Sequence, residues 1–298
     1  SVEVGTGDNA VKIGGENVFP LYSFDAAIEN APKVGIEITD FGMEHEPECI
    51  KKYYEGCATL ADMARKAASM EGVDFLSFRM EGGDPNGANK STEELIGELK
   101  EIADAVDLPL VVCGCKNVEK DAELFSKAAE ALNGKNAVIL SAKEENYKTV
   151  GAAAGLAYKQ IVGAESAVDI NLAKQLNVLI SQLGVDSKSV VMNVGSAAVG
   201  YGFEYVISTM DRVKAAALQQ GDANLQMPII TPVASEAWGV KEAMASETDA
   251  PEWGSQEERG IDMEVETAMA VIAAGSNAVI LKHPESIKII SGLMKELV

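Results

Sequence analysis

Residues 109–141 read PLVVCGCKNVEKDAELFSKAAEALNGKNAVILS. Pro109 to Cys113 form a short apolar run, and Ala137 to Ser141 form a second one. Between them, Lys120 to Leu132 places its apolar residues at helical spacing, and Gly134 follows where a left-handed C-terminal cap belongs. Runs this short, apolar throughout and bounded by turn residues, read as strands buried on both faces. The stretch is therefore a strand, a helix and a second strand, the repeating unit of a parallel sheet covered by helices.

The same unit recurs along the chain. Further apolar runs lie at Val34 to Thr39, Asp74 to Arg79, Gln160 to Ala164, Ser189 to Asn193, Pro228 to Pro232 and Asn277 to Lys282. Amphipathic segments occupy Thr59 to Ala68, Ser91 to Val106, Tyr147 to Tyr158, Val168 to Leu183, Phe203 to Gln219, Glu257 to Ala274 and Pro284 to Leu297. Start and stop signals agree with these spans. Ser91 with Glu94 makes a capping-box pattern, Asp121 and Asp169 fall in first turns, and Gly184 and Gly275 follow helix ends. Eight repeats predict an α/β fold, a (β/α)8 TIM barrel. A doubly wound open sheet would carry a glycine-rich phosphate turn after its first strand, and Asp40 to Gly42 supplies none. The whole chain, 1–298, is expected to be one barrel domain: residues 1–30 form an N-terminal segment and residues 31–298 the barrel. Within that segment, extended pieces across Ala10 to Asn30 are predicted to make a hairpin closing the barrel floor. Val233 to Gln256 is predicted to be irregular, and a loop that long serves as a lid, a binding loop or an interface.

Composition narrows the function. The 298 residues are 47% hydrophobic and 24% charged, enough to bury a large core. A formal net charge of -21 argues against nucleic-acid partners and acidic membrane surfaces, both of which recruit Lys and Arg. No unbroken apolar window of about 18 residues is present, and the first residues lack a basic segment followed by an apolar run. A cytoplasmic location, with no nucleic acid and no membrane, is the expectation. Four cysteines (Cys49, Cys57, Cys113, Cys115) at spacings that match no common zinc or cluster pattern fit a reducing compartment.

In such a barrel the chemistry collects at the C-terminal ends of the strands. There the chain places Asp40, Glu81 to Asn89, Gly114 to Asn117, Ala142 to Asn146, Glu165-Ser166, Val194 to Gly202, Val233 to Glu236 and His283. Glycine, amide and hydroxyl groups dominate, a composition suited to cradling a large polar ligand through the backbone. Glu37, Asp40, Glu81 and Asp84 read either as a metal or general-base cluster or as bland groups. In the second case Glu37 is a paired interior carboxylate, and Asp84 belongs to a turn, Asp84-Pro85-Asn86-Gly87. His45 and His283 lack a partner at metal-ligand spacing and read as surface or capping residues. Lys143 and Lys282 are the lysines placed for a Schiff base, while Cys113 and Cys115 read as small packing groups. Gly195 to Gly202 either lets a ligand approach the backbone closely or is a flexible loop. Trp238 and Trp253 form a docking surface or anchor their own segment.

Several strings carry a resemblance. They are IGGENVFPLY from Ile13, EGGDPNGAN from Glu81, PLVVCGCKNVEKD from Pro109, EENYK from Glu144, DINLAKQLNVLI from Asp169, GYGFEY from Gly200, SEAWGVKEA from Ser235 and ERGI from Glu258. In this order, from about Ala10 to Val298, the chain resembles the small subunit of the corrinoid iron–sulfur protein, also called the delta subunit of the carbon monoxide dehydrogenase/acetyl-CoA synthase complex. The resemblance implies a TIM-barrel methyl carrier of the reductive acetyl-CoA (Wood–Ljungdahl) pathway in anaerobes, not an enzyme on its own. It implies a cobamide, a B12-type corrinoid, shared in a heterodimer with a large subunit that also carries a [4Fe-4S] cluster. The methyl group would come from methyltetrahydrofolate through a separate methyltransferase and pass to acetyl-CoA synthase.

On the mouth segments that match the family strings, the implied corrin contacts are Asp84, Asn117, Asn146, Ser166, Asn193, Ser196, Tyr201 and Gly202, with no catalytic and no metal-ligating residue. Lys116 and the turn Met192-Asn193-Val194 depart from the family's pattern. The chain has no Asp-x-His-x-x-Gly string and is expected to give the cobalt no histidine. It has no four-cysteine signature, which assigns the cluster to the partner. Two other readings stay open on the residues. One is a pterin-dependent methyltransferase barrel gripping methyltetrahydrofolate through Asp84, Asn117 and Asn193, and the other is a metal aldolase using Glu81 and Asp84.

Overall fold

A computed structural model describes residues 1–298. The chain opens with a small antiparallel hairpin, β1 (Val2–Val4) against β2 (Val11–Ile13), with Val2 opposite Ile13 and Val4 opposite Val11. Eight parallel strands follow: β3 (Lys33–Thr39), β4 (Phe75–Arg79), β5 (Leu110–Cys113), β6 (Val138–Ala142), β7 (Ile161–Glu165), β8 (Val190–Asn193), β9 (Ile230–Pro232) and β10 (Ala278–Leu281). Their order, β8-β7-β6-β5-β4-β3-β10-β9, leaves β8 and β9 at the two ends. A parallel bridge between Met192 and Ile229 joins those ends, with the Met192 N–H donating to the Pro228 carbonyl at 2.7 Å. The predicted TIM barrel is the observed fold.

Alternation along each strand sorts the side chains into two cores. Phe75, Val111, Cys113, Val138, Leu140, Ile161, Val191, Ile230, Ala278 and Ile280 pack inside the barrel. Ile36, Leu76, Val112, Ile139, Val162, Val190 and Val279 face the helices that surround it. A slip of one residue in any strand would exchange the two sets, so register is tightly specified. Gly35 makes room for this interior. A Cβ placed there would lie 2.1 Å from the Phe75 ring, so β3 yields its central inward position to a neighbour's aromatic side chain.

The floor is closed by the hairpin. Val2, Val4 and Ile13 join the interior core, and Gly5 and Gly14, both at positive φ, lie flush against Pro109 and Pro228 at the N-terminal ends of β5 and β9. The Gly5 N–H donates to the Asn136 carbonyl at 2.9 Å, and the Asn136 amide returns a bond to the Glu3 carbonyl at 2.7 Å. The predicted floor hairpin is present, but it occupies residues 2–13, whereas Ala10 to Asn30 was expected to form it. Strands of three residues are too short to show a period in the sequence, and beyond Ile13 the segment runs to Pro32 without further strand. It is held by side chains: the buried Lys214 ammonium donates to Glu16 at 2.5 Å, and Asn30 donates to the Gly14 carbonyl at 2.8 Å.

Eleven α-helical segments pack outside or cover the mouth: α1 (Glu48–Tyr53), α2 (Leu60–Ala68), α3 (Thr92–Ala105), α4 (Val118–Ala131), α5 (Tyr147–Val150), α6 (Ile170–Gln182), α7 (Phe203–Leu218), α8 (Ala234–Ala237), α9 (Lys241–Met244), α10 (Gln256–Ala274) and α11 (Pro284–Leu297). None is long and apolar enough to cross a membrane. Two expectations are corrected. The helix predicted over Tyr147 to Tyr158 is α only to Val150 and continues as a π-helix over Gly151–Ala157, whose Gly151 and Gly155 sit against Leu183 and Val185. The stretch Val233 to Gln256 holds α8, α9 and a 3-10 turn at Pro251–Trp253. Both tryptophans anchor it. Trp238 is buried against Gly260, and the Trp253 ring receives the Lys241 ammonium at 5.2 Å and the Arg259 guanidinium at 5.6 Å. Arg259 also donates to the Ala245 carbonyl at 2.7 Å.

Two alanine substitutions test the interior packing. Gly35→Ala forces a methyl into Phe75 and is expected to cost roughly 1–3 kcal/mol in urea unfolding. Gly97→Ala, in α3 with nothing within 4 Å of the new methyl, is expected to add about 1 kcal/mol.

Candidate functional site

At the C-terminal ends of the strands a cavity of about 470 Å³ opens between β4, β5, β6, β7, β8 and β9. A second, of about 340 Å³, adjoins it on the β3 and β10 side, and Arg79, Gly114, Lys116 and Ser235 line both. The wall between them is ionic. Glu37 and Arg79 point into the barrel from adjacent strands, the Arg79 Nη2 lying 2.8 Å and its Nε 3.0 Å from Glu37 Oε2. Both side chains are buried. Burial alone would lower the Arg79 pKa, but the Glu37 carboxylate raises it on balance, so the guanidinium stays charged.

Other mouth charges are paired in the same way. Lys116 meets Glu236 at 3.2 Å, and Lys143 meets Glu165 at 3.3 Å. Lys282 meets Glu46 at 2.8 Å; burial opposes its charge, but Glu46 and Glu37 hold its pKa above the usual lysine value. That rules against a Schiff-base role, which needs a lowered value. Asp40 accepts from the Gly82 N–H at 2.9 Å and lies 3.1 Å from the Lys90 ammonium. Glu37 and Asp40 are engaged by cations, Glu81 and Asp84 both line the second cavity, and no group of three or more His, Cys, Asp or Glu residues is placed to hold a metal ion. His283 caps α11, its Nδ1 accepting from the Glu285 N–H at 3.1 Å, and its ring stacks on Trp238 at 5.9 Å.

The eight residues assigned to the mouth divide by position. Asn193, Ser196, Tyr201 and Gly202 line the first cavity, and Asp84 lines the second. Asn193 braces the barrel end: it donates to the Ser141 hydroxyl at 3.0 Å and accepts from the Gly195 N–H at 3.1 Å. The Ser196 hydroxyl oxygen is buried without a partner. Tyr201 stands half exposed at the rim and donates to Glu242 at 2.6 Å, tying the start of α7 to α9, and Gly202 opens α7 at φ 80°. Asn117, Asn146 and Ser166 line neither cavity. Asn117 caps α4 by accepting from the Lys120 N–H, and Asn146 bridges loops by accepting from the Lys143 N–H and donating to the Val118 carbonyl. Ser166 is enclosed with a buried hydroxyl oxygen that meets no partner.

Two charged residues of the first cavity escaped the sequence reading. Arg79 ends β4 as its sole charge, and the sign of its partner two positions from the end of β3 was the available signal. Asp121 looked like an ordinary first-turn acid of α4. Instead its side chain turns inward, where Oδ1 accepts from the Cys115 N–H at 2.7 Å and from the Cys115 thiol at 3.3 Å. Burial pushes the Asp121 carboxyl above the usual aspartate value and the Cys115 thiol up to about 12, which leaves that thiol inert at neutral pH.

The fold places the chain among (β/α)8 barrels, with a backbone shaped like that of dihydropteroate synthases. The dihydropteroate synthase of Thermus thermophilus, in complex with 4-aminobenzoate, matches 99% of this chain and 100% of its own with a TM-score of 0.59 at 12% identity. Residues 1–294 match the family model of the CO dehydrogenase/acetyl-CoA synthase delta subunit, and the chain belongs to that family. The acetyl-CoA decarbonylase/synthase complex subunit delta of Methanothermobacter thermautotrophicus is 32% identical over 97% of this chain and 73% of that protein. Subunit delta 1 of the same complex from Methanosarcina thermophila is 29% identical over 100% of this chain and 68% of that protein.

Two substitutions check the site's electrostatics. Arg79→Met leaves Glu37 buried without a counter-charge and is expected to destabilise the chain by about 3–5 kcal/mol in urea, most of it recovered by adding Glu37→Leu. Asp121 has a folded pKa above its unfolded one. The stability present below about pH 3.9 is therefore lost as pH rises through the folded value. Asp121→Asn keeps the Oδ1 acceptor and is expected to unfold at higher urea than the native chain at pH 7, the gap closing toward pH 4. A gap that does not change with pH would assign the gain to packing.

Proposed function

We propose that the barrel mouth holds one face of a cobamide in a methyl-carrier complex, with this chain as a non-catalytic wall of the cofactor chamber. Membership of the delta-subunit family over nearly the whole length supports the reading. The observation that carries it is the state of the mouth's charges. Arg79, Lys116, Lys143 and Lys282 are each tied to a carboxylate, so the groups left facing the cavity offer shape and hydrogen bonds more than acid–base or nucleophilic chemistry.

The residues present fit such a group. A corrin is fringed with amides, and the first cavity offers it the Ser196 hydroxyl, buried without a partner, the Asp121 carboxyl and the glycine-rich turn from Gly195 to Gly202. A corrinoid is larger than a cavity of about 470 Å³ can enclose, so the face turned away from the barrel needs a second protein. That requirement agrees with a heterodimer in which a large subunit completes the chamber and carries the [4Fe-4S] cluster. Asn193, Ser196, Tyr201 and Gly202 would hold the corrin edge, with Asp84 at its far side. When bound, the group supplies the methyl-carrying chemistry at its cobalt. This chain's part is to orient it toward a methyltetrahydrofolate-dependent methyltransferase on one occasion and acetyl-CoA synthase on another. The two histidines lie outside the first cavity, and His283 is committed to capping α11.

The likeness to dihydropteroate synthase favours one alternative, a pterin-dependent methyltransferase that binds methyltetrahydrofolate in the same mouth. The complex purified from its native source separates the two. Corrinoid absorption bands that follow this chain and a larger iron-containing subunit through purification are the expected result. A lone chain that binds methyltetrahydrofolate tightly and carries no corrinoid would overturn the first reading. Gly202→Val, which puts a branched side chain at φ 80° on the cavity rim, is expected to weaken corrinoid retention about tenfold in the same preparation.

A further inference from the structure

The first cavity contains one acidic side chain that forms no ion pair. Arg79, Lys116 and Lys143 each meet a carboxylate at 2.8, 3.2 and 3.3 Å, and so Glu37, Glu236 and Glu165 are answered too. Asp121 has no such partner. Its side chain lines the cavity while the residue as a whole is only 4% exposed. Oδ1 takes both bonds from Cys115, and Oδ2 accepts none. Asn193, also in the mouth, is committed at both ends of its amide, to Ser141 and to Gly195.

The backbone is shaped to let this carboxyl in. A Cβ at Gly114 would lie 2.2 Å from Asp121 Oδ1 and 2.8 Å from Oδ2, so the loop after β5 admits only a glycine beside it. The carboxyl is thus held through Oδ1 on one side, while on the other Oδ2 is left open toward the cavity with no donor from the chain.

Resting on the reading of this mouth as a ligand site, we propose that Asp121 is a specificity residue. Its Oδ2 pairs with an N–H of a neutral ligand, a primary amide or an amino group on a heterocycle, and rejects the corresponding carboxylate. A primary amide or amino group gives its N–H to Oδ2 as acceptor. A ligand carboxylate at the same place would set two like charges together in a buried site. The two sources of this chemistry on hand are the amide fringe of a corrin and the amino edge of a pterin.

Three probes distinguish the sources when titrated against the full chain and its Asp121→Asn variant: cobinamide, with its amides intact; cobyrinic acid, the same ring with free carboxylates; and 6-methylpterin. Native protein is expected to bind cobinamide more tightly than cobyrinic acid. Asp121→Asn, which presents a donor where Oδ2 was, should weaken cobinamide about tenfold and shrink or reverse that preference, an effect that general loosening of the cavity would not give. If the native chain takes the pterin and not the corrins, and Asp121→Asn weakens the pterin about tenfold, the assignment of Asp121 stands and the corrinoid reading of the mouth falls. Should Asp121→Asn not fold, as judged by circular dichroism and its urea midpoint, Gly114→Ala displaces the carboxyl by crowding it and is expected to cause the same losses. Folded variants that bind every probe like the native chain overturn the proposal, as does native protein with no saturable binding of any of the three.

Discussion

Eight parallel strands closed on themselves enclose a space that must be filled without voids, and this constraint governs both ends of the molecule. In the middle, alternating residues from the strands meet across the axis, with Gly35 yielding to Phe75. At the floor the strands run out of inward side chains, and the N-terminal hairpin supplies Val2, Val4 and Ile13 instead. Toward the mouth the inward positions of β3 and β4 pass to Glu37 and Arg79, and there the filling becomes an ion pair. A buried pair is poor evidence for net stability, since desolvation offsets much of the attraction. Its value here is geometric: it closes the barrel under the mouth and divides the space above into two cavities.

From that pair the charges above it follow. The mouth is built from an acidic chain, yet Lys116, Lys143 and Lys282 each find a carboxylate partner across a loop or strand boundary. Such pairing spends most of the reactive side chains on holding loops in place. What the mouth keeps free is its contour, its backbone groups and a few unpartnered polar atoms. The tryptophans contribute to the same stiffness, fastening α8 to α10 against the barrel top.

Fold and family answer different questions here. The likeness to dihydropteroate synthases, at 12% identity, speaks of backbone shape alone. The match to the delta-subunit family runs through the loops as well as the strands, from residue 1 to residue 294. Loop sequence carried the resemblance because glycine, asparagine and tryptophan strings at strand ends are not needed to make a barrel, whereas a run such as AVILS from Ala137 occurs in any parallel sheet.

The sequence by itself determined the strands, the long helices and their caps, because each depends on a period of two or 3.6 residues and on neighbours a few positions away. It also determined that the strand-end loops would be polar and rich in glycine. It could not set the three-residue hairpin, whose strands are shorter than any detectable period, nor the π-helix, whose glycines answer to Leu183 and Val185 far along the chain. Nor could it decide which polar side chains face the cavity. Asn117, Asn146 and Ser166 sit in mouth loops but turn to caps, braces and enclosed positions, while Asp121, on a helix, turns inward through the gap left by Gly114. The direction of a side chain at a loop–helix junction is fixed by what the neighbouring strands place beside it, and that is a property of the closed barrel.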